Sequence, residues 1–299
     1  MINDRPVEEG VDDWVLLGVP VYTLAGYRGM GDAPGALRKL GFPTLFDAVD
    51  LGDVKLPPLK KDVAVGRTKN LDHFRDATAK IHSASMSLQA QKVIVLGGEC
   101  SETVGVTAGL GEALGGRPGM LWLDAHGDFN TPETSPSGYI GGMCLAMVCG
   151  RVRGLGLGVG DEKLSLAEER LVHVGSRALD QPEVAALSSS PAKLYTSQQV
   201  KKSGAADVAE EAARHLDNRS DWIVCHLDVD VVDPELMPAV NYPTPGGLTM
   251  EDTTRMIRAL DATGKLRAVE VAAYNPSKDR GGRSARTLLE LLRSSLNRD

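Results

Sequence analysis

The chain has 299 residues, with 33 Lys and Arg against 40 Asp and Glu, 42% apolar residues, 33 Gly and 4 Cys. This composition describes an ordinary globular protein and excludes a disordered tail, a fibre and a disulfide scaffold. The net charge of −7 repels a phosphate backbone, and no Lys/Arg run is interleaved with aromatics, so nucleic acid is not an expected partner.

The first residues carry Asp4, Arg5, Glu8, Glu9, Asp12 and Asp13 and lack the basic-then-apolar order of a signal peptide. No apolar run approaches the roughly 18 residues that cross a bilayer, so a cytosolic protein without a membrane partner is expected. The first predicted strand is Trp14–Leu17, and the segment Gly26 to Arg38 reads as a turn entering a helix. Leu71 to Ala90 repeats its apolar residues at helical spacing, and Lys92–Leu96 is the next β-branched run. Further strands are expected at Met120–Leu123, Arg170–Val174, Trp222–Cys225 and Leu266–Val271. Helices are expected at Ala205–His215, Met250–Leu260 and Thr287–Leu296. Gly154 to Gly160 resembles a phosphate cradle, but it lacks a preceding strand and a Gly-Lys-Ser/Thr ending, so it reads as a surface loop. Strands alternating with helices predict an α/β protein of three layers, α/β/α, around a mostly parallel sheet. No composition break or fixed-period repeat appears, and residues 1–299 are expected to form a single domain.

The chemistry stands at the strand ends. Leu121-Trp122-Leu123 is followed by Asp124-Ala125-His126-Gly127-Asp128, and Cys225-His226-Leu227 by Asp228-Val229-Asp230-Val231-Val232-Asp233-Pro234. Side chains at i, i+2 and i+4 of an extended chain share a face, so Asp124, His126 and Asp128 converge, as do Asp228 and Asp230. The carboxyl ends of parallel strands form a common crevice, where the two clusters are expected to meet. Buried carboxylates need a counter-charge, and this many donors predicts two divalent ions rather than one. Carboxylates with one imidazole suit manganese or another borderline cation. Val93–Leu96 ends in Gly97-Gly98-Glu99-Cys100, where the glycines permit close backbone approach and Cys100 or Glu99 offers one more ligand. Asp233-Pro234 reads as turn chemistry. Cys144, Cys149 and Cys225 show no metal spacing and read as packing residues, and His73, His82, His173 and His215 as surface or core residues. His226 reads either as lining the site or as packing beneath it.

With these segments and Asn275-Pro276 near the end, the sequence resembles the arginase/agmatinase (ureohydrolase) family over nearly its whole length. The resemblance implies an arginase-like fold with two manganese ions, usually assembled as a homo-trimer or homo-hexamer. It implies one ion held by Cys100, Asp124, Asp128 and Asp228 and the other by His126, Asp124, Asp228 and Asp230, with Asp124 and Asp228 bridging. It further implies hydrolysis of a guanidino carbon by hydroxide between the ions, with Asp128 as the catalytic residue that orients it and passes the proton to the leaving amine. Asn130 and Ser137 look like the arginase residues that hold an α-carboxylate, and Asp180 like the acid that receives the α-amino group. The implied partner is therefore a small guanidino amino acid.

Three departures from the family pattern stand out. Cys100 stands at a ligand His, with Glu99 at the neighbouring Asp; Tyr139 and Gly141 stand at an Asn and a proton-shuttling His; and Ala273 stands at a Glu that clamps a guanidinium. A thiolate favours softer metals such as zinc, cobalt or iron. These replacements resemble the branch that hydrolyses N-omega-hydroxy-L-arginine, whose less basic head group depends less on a paired carboxylate. The expected products are ornithine with urea or hydroxyurea, and Glu270 is a candidate substitute for the missing acid. Agmatine or another guanidino compound is an alternative substrate, and a metal-depleted, non-catalytic paralogue is the alternative from a different class.

Overall fold

A computed structural model of the chain describes residues 14–88, 91–153, 155 and 166–296. Among these residues eight strands form one sheet: β1 (Trp14–Val19), β2 (Val49–Asp53), β5 (Lys92–Gly97), β6 (Pro118–Leu123), β7 (Leu171–Val174), β8 (Lys193–Tyr195), β9 (Trp222–Asp228) and β10 (Leu266–Ala272). The short strands β3 (Ala64–Val65) and β4 (Thr68–Lys69) pair separately as an antiparallel hairpin. The order is β2-β1-β5-β10-β9-β6-β7-β8, and every neighbouring pair in the large sheet is parallel.

Alternation along each strand supplies both faces of this sheet. In β5, Ile94 and Leu96 join Leu121, Leu123, Ile223 and Val269 on one side, where helices Ala205–Asp217, Met250–Asp261 and Arg283–Leu296 cover them. Val93 and Val95 join Val15, Met120, Trp122 and Val224 on the other, under helices Leu71–Met86 and Glu102–Leu114. The result is the expected three-layer α/β/α arrangement, with two apolar cores separated by the sheet. Phe74, on helix Leu71–Met86, is fully buried in the second core. Phe74→Ala is expected to cost about 3–5 kcal/mol of stability, measured as a fall in the urea midpoint at unchanged slope.

All six predicted strands are present, with shifted ends: β5 runs on to Gly97, β9 to Asp228, and Arg170 lies in a short 3-10 turn before β7. Helix Leu71–Met86 stops short of Ala90, and the last helix begins at Arg283 rather than Thr287. The edge strands β2 and β8 were not predicted because their residues are half-exposed and mixed in polarity. Helix Glu102–Leu114 was missed for the opposite reason: it is buried along most of its length, so no polar face marks its period. Gly26 to Arg38 does turn into helices, Arg28–Gly31 and Ala33–Lys39. The Gly154 to Gly160 loop lies, apart from Leu155, outside the described residues. Among the described residues no helix is long and apolar enough to cross a membrane.

After β6 the chain runs outward through β7 and β8, then returns to place β9 and β10 between β6 and β5. The carboxyl ends of β5, β10, β9 and β6 therefore stand side by side where the winding direction reverses, which is where an open α/β sheet leaves a crevice.

Candidate metal centre

The end of β6 delivers Asp124, whose Oδ2 accepts a hydrogen bond from the Trp122 indole at 2.9 Å and whose Oδ1 accepts one from the His126 backbone at 2.7 Å. Trp122 and Asp124 share a face because they are two residues apart on an extended chain. The end of β9 delivers Asp228 and Asp230, tied together by a 2.7 Å bond from the Asp230 N–H to Asp228 Oδ1. The clusters interlock: the Ala125 N–H donates to Asp230 Oδ1 at 3.2 Å, and His126 Nδ1 lies 3.1 Å from Asp230 Oδ2 and 3.5 Å from Asp124 Oδ1. From the end of β5, the Cys100 thiol donates to Asp228 Oδ2 at 3.0 Å. Gly98 makes this approach possible, since a Cβ there would overlap the Val21 carbonyl.

Two compact donor groups result, Cys100 with Asp124 and Asp128, and Asp124 with His126 and Asp230. Within each, one ligand atom per residue lies within 4.8 Å of the others, and Asp124 belongs to both. Asp228 belongs to neither compact group but contacts both through Cys100 and Asp230. The six donor residues selected from the sequence thus come together from three strand ends.

Four buried acids this close cannot all carry free charge. Burial, then repulsion from neighbouring carboxylates, pushes Asp124, Asp128 and Asp228 above the usual carboxylate range. Burial also works against Asp230, but its hydrogen bond and attraction to His126 bring it below that range. His126 takes the complementary shift: burial opposes its charge, yet Asp124 and Asp230 raise it to about 12. The direction of these shifts shows that the cluster favours positive charge among its carboxylates. Burial and Asp228 push the Cys100 thiol far up. Arg177 attracts Asp230, Asp124 and Asp228 from nearby but forms no hydrogen bond to their carboxylates, because its guanidinium donates to the backbone carbonyls of Gly175, Asp230, Val231 and Thr244. Carboxylates, one imidazole and one thiol, with no arginine or lysine among them, fit divalent cations of borderline softness.

A cavity of about 200 Å³ opens beside the donors. Asn130, Ser137 and Asp180 all line it; Asn130 Nδ2 donates to Asp180 Oδ2 at 2.9 Å, and Ser137 Oγ accepts from the Tyr139 N–H at 3.2 Å. Asp180 caps helix Gln181–Ser188 in a reciprocal capping box with Glu183. Glu183, which also lines the cavity, accepts at 2.9 Å from the Phe129 N–H, so one carboxylate joins the Asp128 loop to the Asp180 cap.

Ala273 reaches the cavity wall with φ +66°, a left-handed conformation uncommon for alanine, fixed by its N–H donating to the Gly98 carbonyl at 2.9 Å. Glu270 does not take the place of a missing acid. It is fully buried below the cavity, where Oε2 lies 2.6 Å from His226 Nδ1. His226 is likewise no lining residue: it stacks on Trp122 at 3.7 Å between ring centroids, beneath the donors. Both residues lie two positions before the ends of their strands, at the level of Trp122, so they sit one step beneath the crevice rather than in it.

Asp233 performs the turn role read from the sequence, accepting from the N–H groups of Glu235, Gly246 and Gly247. Cys225 is core packing, but Cys144 is more than that, with its thiol 3.0 Å from the Gly141 carbonyl and 3.4 Å from Asp128 Oδ2. His173 supports the site from behind, its Nε2 2.8 Å from the His126 carbonyl. Sequence reasoning passed over Glu183, Trp122, Cys144 and Tyr242. The capping-box spacing from Asp180 could have found Glu183, and strand alternation could have found Trp122, whereas nothing local marks the other two.

Known proteins resemble this chain over nearly its whole length. The model of the Arginase family matches residues 12–297. The arginase of Bacillus caldovelox is 31% identical over 288 residues, spanning 93% of this chain and 96% of that protein. Its native structure at pH 5.6 superposes with a TM-score of 0.89 at 30% identity, covering 96% of this chain and 99% of that one. The Entamoeba histolytica arginase, solved in complex with L-ornithine, superposes with a TM-score of 0.87 at 26% identity and the same coverage.

Proposed function

The chain belongs to the arginase family, and from that membership we propose that it is a binuclear-metal amidinohydrolase cleaving the guanidino group of L-arginine or N-omega-hydroxy-L-arginine to ornithine plus urea or hydroxyurea. The observation that carries this reading is the pair of donor groups sharing Asp124 at the floor of one cavity. Cys100, Asp124, Asp128 and Asp228 would hold one ion, and His126, Asp124, Asp228 and Asp230 the other, with manganese the leading candidate and the thiol favouring a softer metal at its own position. Divalent ions there supply Lewis acidity and lower the pKa of bound water.

The protein's own residues supply the remainder. Asp128, held in a left-handed turn with φ +47° and touched by the Cys144 thiol, is placed to orient the attacking water and return its proton to the leaving amine. Asn130, Ser137 and Asp180 fix the amino-acid end of the substrate, so that attack on the guanidino carbon is nearly intramolecular. The wall presents Ala273 and Gly141 where a charged clamp and an imidazole would stand in the family pattern, which suits a hydroxyguanidine, less basic than a guanidine. The L-ornithine bound to the Entamoeba histolytica relative supports the amino-acid end of this reading. We carry trimeric or hexameric assembly and a cytosolic location as further proposals, the first checked by analytical ultracentrifugation.

The deciding experiment is a substrate panel of L-arginine, N-omega-hydroxy-L-arginine, agmatine and guanidino acids, scored by urea and hydroxyurea release, with metal analysis of the same preparation. Close to two equivalents of metal with release from an amino-acid substrate supports the proposal. A metal-free protein that binds a homologous subunit supports a non-catalytic paralogue, a reading that leaves the buried carboxylates without a counter-charge. Asn130→Ala is expected to raise KM about tenfold for the amino-acid substrates and to leave agmatine, which has no α-carboxylate, unaffected.

A further inference from the structure

Three loops bring three tyrosines to the mouth of the metal cavity. Tyr27 follows β1, Tyr139 lies in the loop after β6, and Tyr242 in the loop after β9. Tyr27 stands perpendicular to both others, at 5.5 Å from the Tyr139 ring and 5.7 Å from the Tyr242 ring, and its hydroxyl is hydrogen-bonded to that of Tyr242. Tyr139 and Tyr242 line the cavity. The chain has only six tyrosines, so half of them meet at this one opening.

Each ring is held in place. Tyr139 donates its hydroxyl to Glu99 Oε2 at 2.9 Å, and Glu99 Oε1 accepts from Ser101 at 2.8 Å. The Tyr139 ring occupies the space above Gly141, where a Cβ would overlap it. Tyr242 sits edge to face with His126 at 5.8 Å, and its loop is pinned by the three backbone bonds to Asp233. A group bound at the donor clusters therefore lies within reach of the Tyr242 ring.

Resting on the substrate class proposed above, we infer that these tyrosines form a specificity-determining wall that recognises the planar head group through aromatic rings instead of a paired carboxylate. A guanidinium or hydroxyguanidine is flat and delocalised, and an aromatic face attracts it electrostatically without a formal charge. With alanine at 273 and glycine at 141, the Tyr139 and Tyr242 rings stand in the cavity lining to hold such a head, while the nearby Glu99 carboxylate is engaged by the Tyr139 hydroxyl and Ser101. Tyr242 makes the contact, and Tyr27 is a positioning residue that fixes Tyr242 through the hydroxyl pair. The attraction acts on the protonated head group, so the wall holds a guanidinium or a protonated hydroxyguanidine.

The test compares Tyr242→Ala, Tyr242→Phe and Tyr27→Phe with the unaltered metal-loaded protein. Calorimetry measures the Kd of L-arginine and of L-ornithine, which lacks the planar head, while kcat and KM are measured for the turned-over substrate. For Tyr242→Ala we expect about a tenfold rise in the L-arginine Kd and in KM, with the loss falling on KM and L-ornithine binding unchanged. Tyr242→Phe restores most of the affinity, and Tyr27→Phe gives a smaller loss than Tyr242→Ala. Equal weakening of L-arginine and L-ornithine, no weakening of either, or an equal loss in Tyr242→Phe and Tyr242→Ala overturns the wall. If the unaltered protein binds L-arginine and shows the expected pattern but turns over nothing in the panel, the catalytic reading fails and the wall stands. If it binds no L-arginine, both fail.

Discussion

Asp124→Asn is expected to empty both metal positions at once and to lower kcat/KM by about 10³-fold or more, the upper end of what one preorganised electrostatic group contributes. Asp124 is the one residue common to both donor groups, and its two oxygens are already held at 2.9 Å and 2.7 Å by the Trp122 indole and the His126 backbone. An amide keeps the volume but removes the negative charge and presents its NH2 donor to one of those two N–H groups, where only the remaining oxygen can accept. Atomic absorption on the purified variant checks the metal, and the melting temperature checks the fold. Two retained equivalents with unimpaired turnover would remove Asp124 from the centre of the site. Asp230→Asn provides the contrast, since Asp230 belongs to one group only and its loss is expected to spare the Cys100 position.

Asp128→Asn is expected to separate binding from chemistry. The carboxamide retains an oxygen for the metal, so the Cys100 group keeps most of its occupancy, while kcat falls by about 10²–10⁴-fold through loss of the proton-transferring carboxylate. KM is expected to change little, because Asn130, Ser137 and Asp180 remain in place. Full turnover in a folded, metal-loaded Asp128→Asn protein would show that another group moves the proton.

The candidate metal donors were legible because each is positioned by rules that act over a few residues. Asp124, His126 and Asp128, and likewise Asp228 and Asp230, follow apolar runs at the spacing that an extended chain turns to one side. Asp180 and Glu183 carry a helix-start signature of the same local kind. Glu270 shows the limit of such reading. Its place in the sequence suggests an acid near the mouth, but its strand position directs it downward to His226. The edge strands β2 and β8 and the buried helix Glu102–Leu114 were illegible because neither half-exposed edges nor fully buried helices show a clean polarity period.

By itself the sequence determined the α/β/α layering, the crevice at the strand ends and which acids are candidate donors there, since all follow from residue type and periodicity along one segment. Tertiary structure alone decided which groups share Asp124, that Arg177 turns to carbonyls rather than to the acids, and that Tyr27, Tyr139 and Tyr242 meet at the mouth. Those outcomes depend on the order of strands in the sheet, and one tyrosine drawn from each of three distant segments leaves no periodic trace of the neighbours that folding gives it.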